Sequence, residues 1–149
     1  MKLFTGLICL VFIAIVHSAS ASEPEAAGRV KTASGSVSVI RGGQSYLLKP
    51  GDKIFENDQL KTGSAGALGV VLRDNTSFSL GHNSKLTIDE YVFVPAKNKF
   101  SLITKMTRGV VAFISGKISK LSPESVRFET PLATIAIRGT KFLVMVDEN

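Results

Sequence analysis

The chain is poor in the side chains that carry most enzyme chemistry. It has one cysteine, two histidines and no tryptophan in 149 residues. The cysteine, Cys9, lies in an apolar N-terminal stretch, so the remainder has no disulfide, no thiolate nucleophile and no cysteine metal site. One histidine, His17, flanks that stretch and leaves His82 alone. Zinc draws three or four ligands from histidine, cysteine and carboxylate, which a single histidine does not supply. A Ser-His-Asp triad would need His82 beside a buried acid and an activated serine, whereas Gly81-His82-Asn83-Ser84 reads as a polar surface turn. Asp52, Asp58, Asp74 and Asp89 match no calcium-loop spacing. The 13 glycines include no phosphate-binding loop pattern. The sequence therefore points to no catalytic residue, no metal and no cofactor, and the expectation is that the protein is not an enzyme. The one catalytic class it leaves open is a carboxylate pair brought together by the fold.

Long apolar runs are also missing, with one exception. Met1-Lys2 is a short positive start, Leu3 to Val16 is apolar, and His17 to Ala21 ends in the small-x-small pattern Ala19-Ser20-Ala21. This is the layout of a secretory signal peptide over 1–21, with cleavage after Ala21. The run is short for a span, which takes roughly 20 apolar residues, although an uncleaved anchor is the alternative. Cys9 follows Ile8 inside the apolar region, which does not fit lipoprotein processing. Export to the periplasm is expected, without a stable membrane span after cleavage. Removal of 21 residues leaves 128, one domain able to build a core without staples.

Only Lys2 of the 18 lysines and arginines lies in the signal, so 17 cations face 12 acids and the net charge becomes +5. The cations are scattered, and no basic run suits nucleic acid. Dispersed lysines on a β-rich chain are solvated faces and guarded edges.

What is present is strand and turn. Residues 22–28 (SEPEAAG) read as a flexible leader before a β domain over 29–149. Ser36-Val37-Ser38-Val39 and Ser77-Phe78-Ser79-Leu80 alternate with period two, and turn signals recur between short apolar runs. Pro50-Gly51-Asp52, Thr62-Gly63 and Asp74-Asn75-Thr76 read as tight turns, with Gly51 and Asn75 suited to positive φ. The pattern predicts an all-β fold, a jelly-roll-like sandwich or β-roll of short antiparallel strands. Leu102, Met106, Val110 and Phe113 stand at helical spacing, but Gly109 and Gly116 argue against a helix. Two strands with a turn near Arg108-Gly109 are expected there. Leu121 to Glu124 is expected to be a loop with at most one helical turn, and Ser125 to Glu129 a strand.

The segment Thr130 to Val146 (TPLATIAIRGTKFLVMV) carries one arginine between two short apolar runs. Pro131 permits a bend. Ile135 and Ile137 share one face; Thr134, Ala136 and Arg138 share the other. Arg138 is therefore at a sheet end facing water or paired with an acid, for which Asp74 and Glu129 are the first candidates. Gly139 would supply a bulge or close approach and Thr140 a local hydrogen bond. A structural clamp is the favoured reading, a site for an anionic group the other.

These residues carry a resemblance. Gly35 to Val39, Leu48 to Lys53, Asp58 to Gly63, Val71 to Leu80, Ser84 to Ile88 and Thr130 to Phe142, in that order, resemble the FecR domain family of bacterial envelope proteins, over roughly Val30 to Val146. The resemblance implies an exported all-β domain with no catalytic residue to carry over. It marks Pro50, Gly51, Asp52, Thr62, Gly63, Asp74, Thr130, Pro131, Arg138, Gly139 and Thr140 as motif positions of structural character. Well-known members regulate iron uptake, with a sigma-factor-binding segment, a transmembrane helix and a further C-terminal domain. This sequence is similar instead to the short stand-alone exported form. The expected function is a binding, scaffold or signal-sensing module acting through contacts with an envelope protein. The alternative is an envelope module that binds carbohydrate or lipid, peptidoglycan or lipopolysaccharide. Neither the partner nor the oligomeric state is legible.

Overall fold

The structure is a computed structural model that describes residues 20–139 and 141–147. Most of the expected signal segment and Thr140 lie outside the described residues. Twelve strands are described: β1 (Gly28–Ser34), β2 (Val37–Arg41), β3 (Gln44–Leu47), β4 (Lys53–Ile54), β5 (Gln59–Thr62), β6 (Ala67–Leu72), β7 (Ser77–Leu80), β8 (Lys85–Val94), β9 (Lys99–Ile114), β10 (Val126–Glu129), β11 (Thr134–Ala136) and β12 (Lys141–Val146). A helical turn, α1 (Lys117–Leu121), and a 3-10 turn at Pro123–Ser125 join β9 to β10. Among the described residues no helix is long and apolar enough to cross a membrane. The all-β expectation holds.

The strands form one curled sheet with two walls that share β9. One wall runs β3-β2-β5-β8-β9-β10-β11 and the other β4-β1-β6-β7-β9-β12. All pairings are antiparallel except β9 with β10. The inward rows follow period two. Leu68, Val70 and Leu72 on β6, Phe78 and Leu80 on β7, and Leu86 and Ile88 on β8 are buried in a single core. In β8 a bulge leaves Asp89 and Glu90 both exposed and shifts the phase so that Tyr91 points inward.

β9 corrects the expectation of two strands with a turn at Arg108-Gly109. It continues through 16 residues, with Gly109 at φ +95°. Before this point it pairs with β8 and β10; after it, with β7 and β12. Leu102, Thr104 and Met106 face inward on the first half, Val111 and Phe113 on the second. The helical spacing in the sequence is thus two period-two runs offset by one residue at a kink. Ser84 holds the kink: its hydroxyl accepts from Val110 N and donates to Val110 O, each at 3.0 Å. Across the walls, Phe113 packs against Phe78 edge-on at 5.2 Å and stacks on Phe142 at 4.7 Å, and Phe142 meets Phe128 at 5.9 Å. This aromatic chain ties β7, β9, β12 and β10 together.

The fold begins before the expected boundary at Arg29. Ala27 is buried, its N–H donates to Ile54 O, and its carbonyl accepts from Arg73 N. Backbone hydrogen bonds therefore extend the domain edge into the segment read as a leader.

A Cβ on Gly109 would lie 2.3 Å from Ser84 Oγ and 2.4 Å from Ser84 Cα, in a conformation that side chains avoid. Gly109→Ala is expected to lower the unfolding free energy by more than about 2 kcal/mol. Gly81→Ala, whose Cβ would stand 3.6 Å from the nearest atom, should stay within about 1 kcal/mol of the parent. Denaturant unfolding of both variants checks the contrast.

Candidate functional site

The acidic motif residues are turned to structural use. Asp58 is fully buried at the turn before β5. It accepts from Arg41 Nε at 2.7 Å, from Arg41 Nη2 at 2.5 Å and from Phe55 N at 2.8 Å, while the guanidinium lies 4.6 Å from the Phe55 ring centroid. This two-pronged ion pair binds β2 to the β4–β5 turn. Its hydrogen bonds and charge raise the Arg41 pKa.

Asp74 is likewise fully buried. It accepts from Thr76 N at 3.2 Å, Thr76 Oγ1 at 2.7 Å and Ile118 N at 3.2 Å. The Tyr91 hydroxyl donates to Asp74 Oδ1 at 3.2 Å and accepts from Asp74 N at 3.0 Å. Lys117 N donates to the Asp74 carbonyl at 2.7 Å, so this loop holds the first turn of α1 from across the chain. Gly116 lies so close that a Cβ would fall 2.3 Å from Thr76 N.

The other motif positions are placed as follows. Pro50-Gly51-Asp52 forms the expected turn: Gly51 has φ +94°, Lys49 N donates to Asp52 at 2.9 Å, and the Lys49 ammonium lies 3.0 Å from it. Those Lys49 hydrogen bonds hold the Asp52 carboxyl below its ordinary pKa. Asn75 has the expected positive φ, 68°. Thr62 is a buried strand end rather than a turn residue; its hydroxyl donates to Gly81 O at 2.5 Å and accepts from Ser84 N at 2.9 Å. Gly63 begins the turn, accepting from Gly66 N at 3.1 Å. Thr130 closes the β10–β11 turn, with Thr130 N donating to Ala133 O at 2.8 Å and Ala133 N to Thr130 Oγ1 at 3.1 Å.

Arg138 does not pair with Asp74 or Glu129. It is exposed between β11 and β12 and has no ion pair among the described residues. Asp74 is occupied by the network above. Glu129 lies near Asp89, whose carboxyl is held above its ordinary range by partial desolvation and then by the charge of Glu129. Ile135 is half-buried and Ile137 buried while Thr134, Ala136 and Arg138 are exposed, as the alternation predicts. Gly139 has φ +139° and open space around its Cβ position, so it re-aims the chain without a close approach. His82 is exposed in its turn, and the Ser84 hydroxyl is engaged by Val110. Among the described residues no three metal-ligating side chains converge.

Two concave surfaces remain as candidate sites, neither of them visible in the sequence. A cleft of about 700 Å³ lies between the edges of β11 and β12. Thr130, Pro131, Leu132, Ile135, Val144, Met145 and Val146 line it, with Lys85, Arg108 and Asp147 also contributing. Leu132 is 91% exposed. The second, of about 620 Å³, lies beside β1, β4 and β6 and is lined by Arg29, Lys31, Lys53 and Arg73. Arg73 is held at 2.6 Å by Glu25 and lies over the Tyr91 ring. The scattered cations gave no hint of this grouping, because strands distant in sequence supply them.

The family model for FecR protein matches residues 58–149. The chain belongs to the FecR family. The matched stretch starts at the buried Asp58 and takes in β9 and both edges of the larger cleft; β1, β2 and β4, which precede it, share the same core. No curated protein matches the chain. It is similar to a solved structure described as a cell surface anchoring domain, at 34% identity over 41% of this chain and 82% of that one, with a TM-score of 0.40.

Burial, and next the negative charge of Asp74, raise the Tyr91 phenol well above its usual pKa. A group raised in the folded state stabilises fully below its unfolded pKa, about 10 for tyrosine, and that stability is lost as pH climbs beyond it. Melting temperature should therefore fall from about pH 10 upward, and less steeply in Tyr91→Phe. Thermal melts of the two proteins across that range give the comparison; identical slopes would count against the assignment.

Proposed function

We propose that this FecR-family protein is a non-catalytic module of the bacterial envelope that acts by holding a protein partner at the cleft between β11 and β12. The observation that carries this reading is the cleft itself. Two strand edges flank it, and it is lined by Pro131, Leu132, Ile135, Val144 and Val146. Exposed apolar side chains beside unpaired strand edges mark surfaces that other chains cover. The non-catalytic part is supported by the spent state of the polar groups: Asp58, Asp74, Thr62 and Ser84 all serve backbone or ion-pair bonds that hold turns. Placement in the periplasm is supported by the apolar segment and small-x-small site ahead of residue 22.

The basic cleft favours a second reading, an anionic envelope polymer such as lipopolysaccharide. Four cations surround it and Glu25 offsets only one of them. Binding there would weaken steeply with salt.

A photo-crosslinking residue in place of Leu132, expressed in envelope-bearing cells, should give a discrete protein adduct that the same residue in place of Ser79 on the exposed face of β7 does not. Leu132→Lys should leave the melting temperature within about 2 °C, as surface changes do, and remove partner binding. Absence of any adduct would sink the protein-contact reading. For the second, Arg29→Glu with Lys53→Glu should abolish salt-sensitive binding to lipopolysaccharide vesicles.

A further inference from the structure

β12 is an edge strand. Among the described residues it pairs only with β9, and its far side receives no backbone hydrogen bond. Such an edge offers a row of N–H and C=O groups to another strand, and proteins normally guard it with charges, bulges or a cover. Here the guard is thin. Phe142, Val144 and Val146 turn toward the core, while Leu143 and Met145 face outward and are each 65% exposed. Beside them, on β9, Ile114 is 46% exposed, and it stands opposite Lys141 in the register. An apolar outer face therefore runs up to an unpaired edge.

The sequence along that edge is Lys141-Phe142-Leu143-Val144-Met145-Val146-Asp147. It is self-complementary under a two-fold axis at Val144. Antiparallel pairing of two copies sets Lys141 of one against Asp147 of the other, twice. It also sets Phe142 against Val146, Leu143 against Met145, and Val144 against its equivalent. Directly opposed residues of an antiparallel pair share a face, so Leu143 and Met145 would cover each other on the outer side. The charges also fix the register. A slip of two residues sets Lys141 against Met145 or Asp147 against Leu143, and both ion pairs are lost. Neither Lys141 nor Asp147 has an ion pair among the described residues. A two-fold contact of this kind is closed, because each copy satisfies the other's edge and no third copy can add.

We infer that the partner of β12 is a second copy of this chain, joined by antiparallel β12–β12 pairing in the register that the Lys141–Asp147 pairs select. This deepens the protein-contact reading and rests on it in one respect, that protein covers the surface around β12. It does not need Leu132 or the cleft wall formed by β11.

The test is sedimentation equilibrium on the full chain purified from cells that export it, with charge-reversed variants. The parent should be a dimer. Lys141→Glu sets a glutamate opposite each Asp147, and Asp147→Lys sets a lysine opposite each Lys141. Each alone should weaken dimerisation by at least about tenfold, with an unchanged far-ultraviolet circular dichroism spectrum. Mixing the two variants should restore dimers, since the mixed pair regains both opposite-charge contacts, and Lys141→Glu/Asp147→Lys should dimerise as the parent does. A monomeric parent, or single variants that dimerise like the parent, overturns the inference. So does a mixture that stays monomeric. If the parent is monomeric while the adduct at Leu132 still forms, the dimer fails and the protein-contact reading stands. A dimer sensitive to the charge swaps without any Leu132 adduct has the opposite meaning: β12 pairing stands and the partner at the cleft fails.

Discussion

The fold depends on the hydrogen bonds between the Ser84 hydroxyl and the Val110 backbone. They fix the place where β9 stops serving one wall and starts serving the other. A strand that keeps strict period two can present its apolar row to one side only. β9 must line a core that curls around it, so its phase has to change once. Gly109 makes the change sterically permissible and Ser84 makes it specific, because a kinked backbone left without partners would carry the cost of unsatisfied polar groups. The wall from β3 to β11 and the wall from β4 to β12 face each other because of that one step. Phe78, Phe113, Phe142 and Phe128 then fill the space between them.

The buried acids extend the same economy. Asp58 fixes β2 to the turn before β5, and Asp74 fixes the β6–β7 turn to Tyr91 and to the start of α1. Each is a charged group taken out of water, which is tolerable only where several donors converge on it. With their oxygens committed to the fold, they have little left for a substrate. The concave surfaces of the described residues lie elsewhere. An apolar cleft opens beside β12, and a basic one lies beside β1 and β6.

The order of motifs along the chain is enough to read an all-β domain of the FecR family, and several turns are legible to the residue. Gly51 and Asn75 take positive φ where the sequence asks for it, and Ile135 and Ile137 turn inward as their spacing requires. Local steric rules decide such features, and local sequence carries them. The expectations that fail share a cause. Gly109 reads as a turn because a glycine next to a charged residue looks alike whether the strand reverses or only bends. Asp74 reads as a partner for Arg138 because an acid and a motif arginine look complementary until Tyr91, Thr76 and Ile118 are seen to have taken that acid first.

By itself, the sequence determined the strand class, several of the turns, and the alternation that decides which side chains face the core. Each follows from the period of the backbone or from which atoms are present at all. Only the tertiary structure decided that β9 is continuous, that Asp58 belongs to Arg41, that Arg29, Lys31, Lys53 and Arg73 gather on one surface, and that β12 is left with an unpaired edge. Those facts depend on which strands meet across separations of many residues. Register and long-range pairing, not composition, set them.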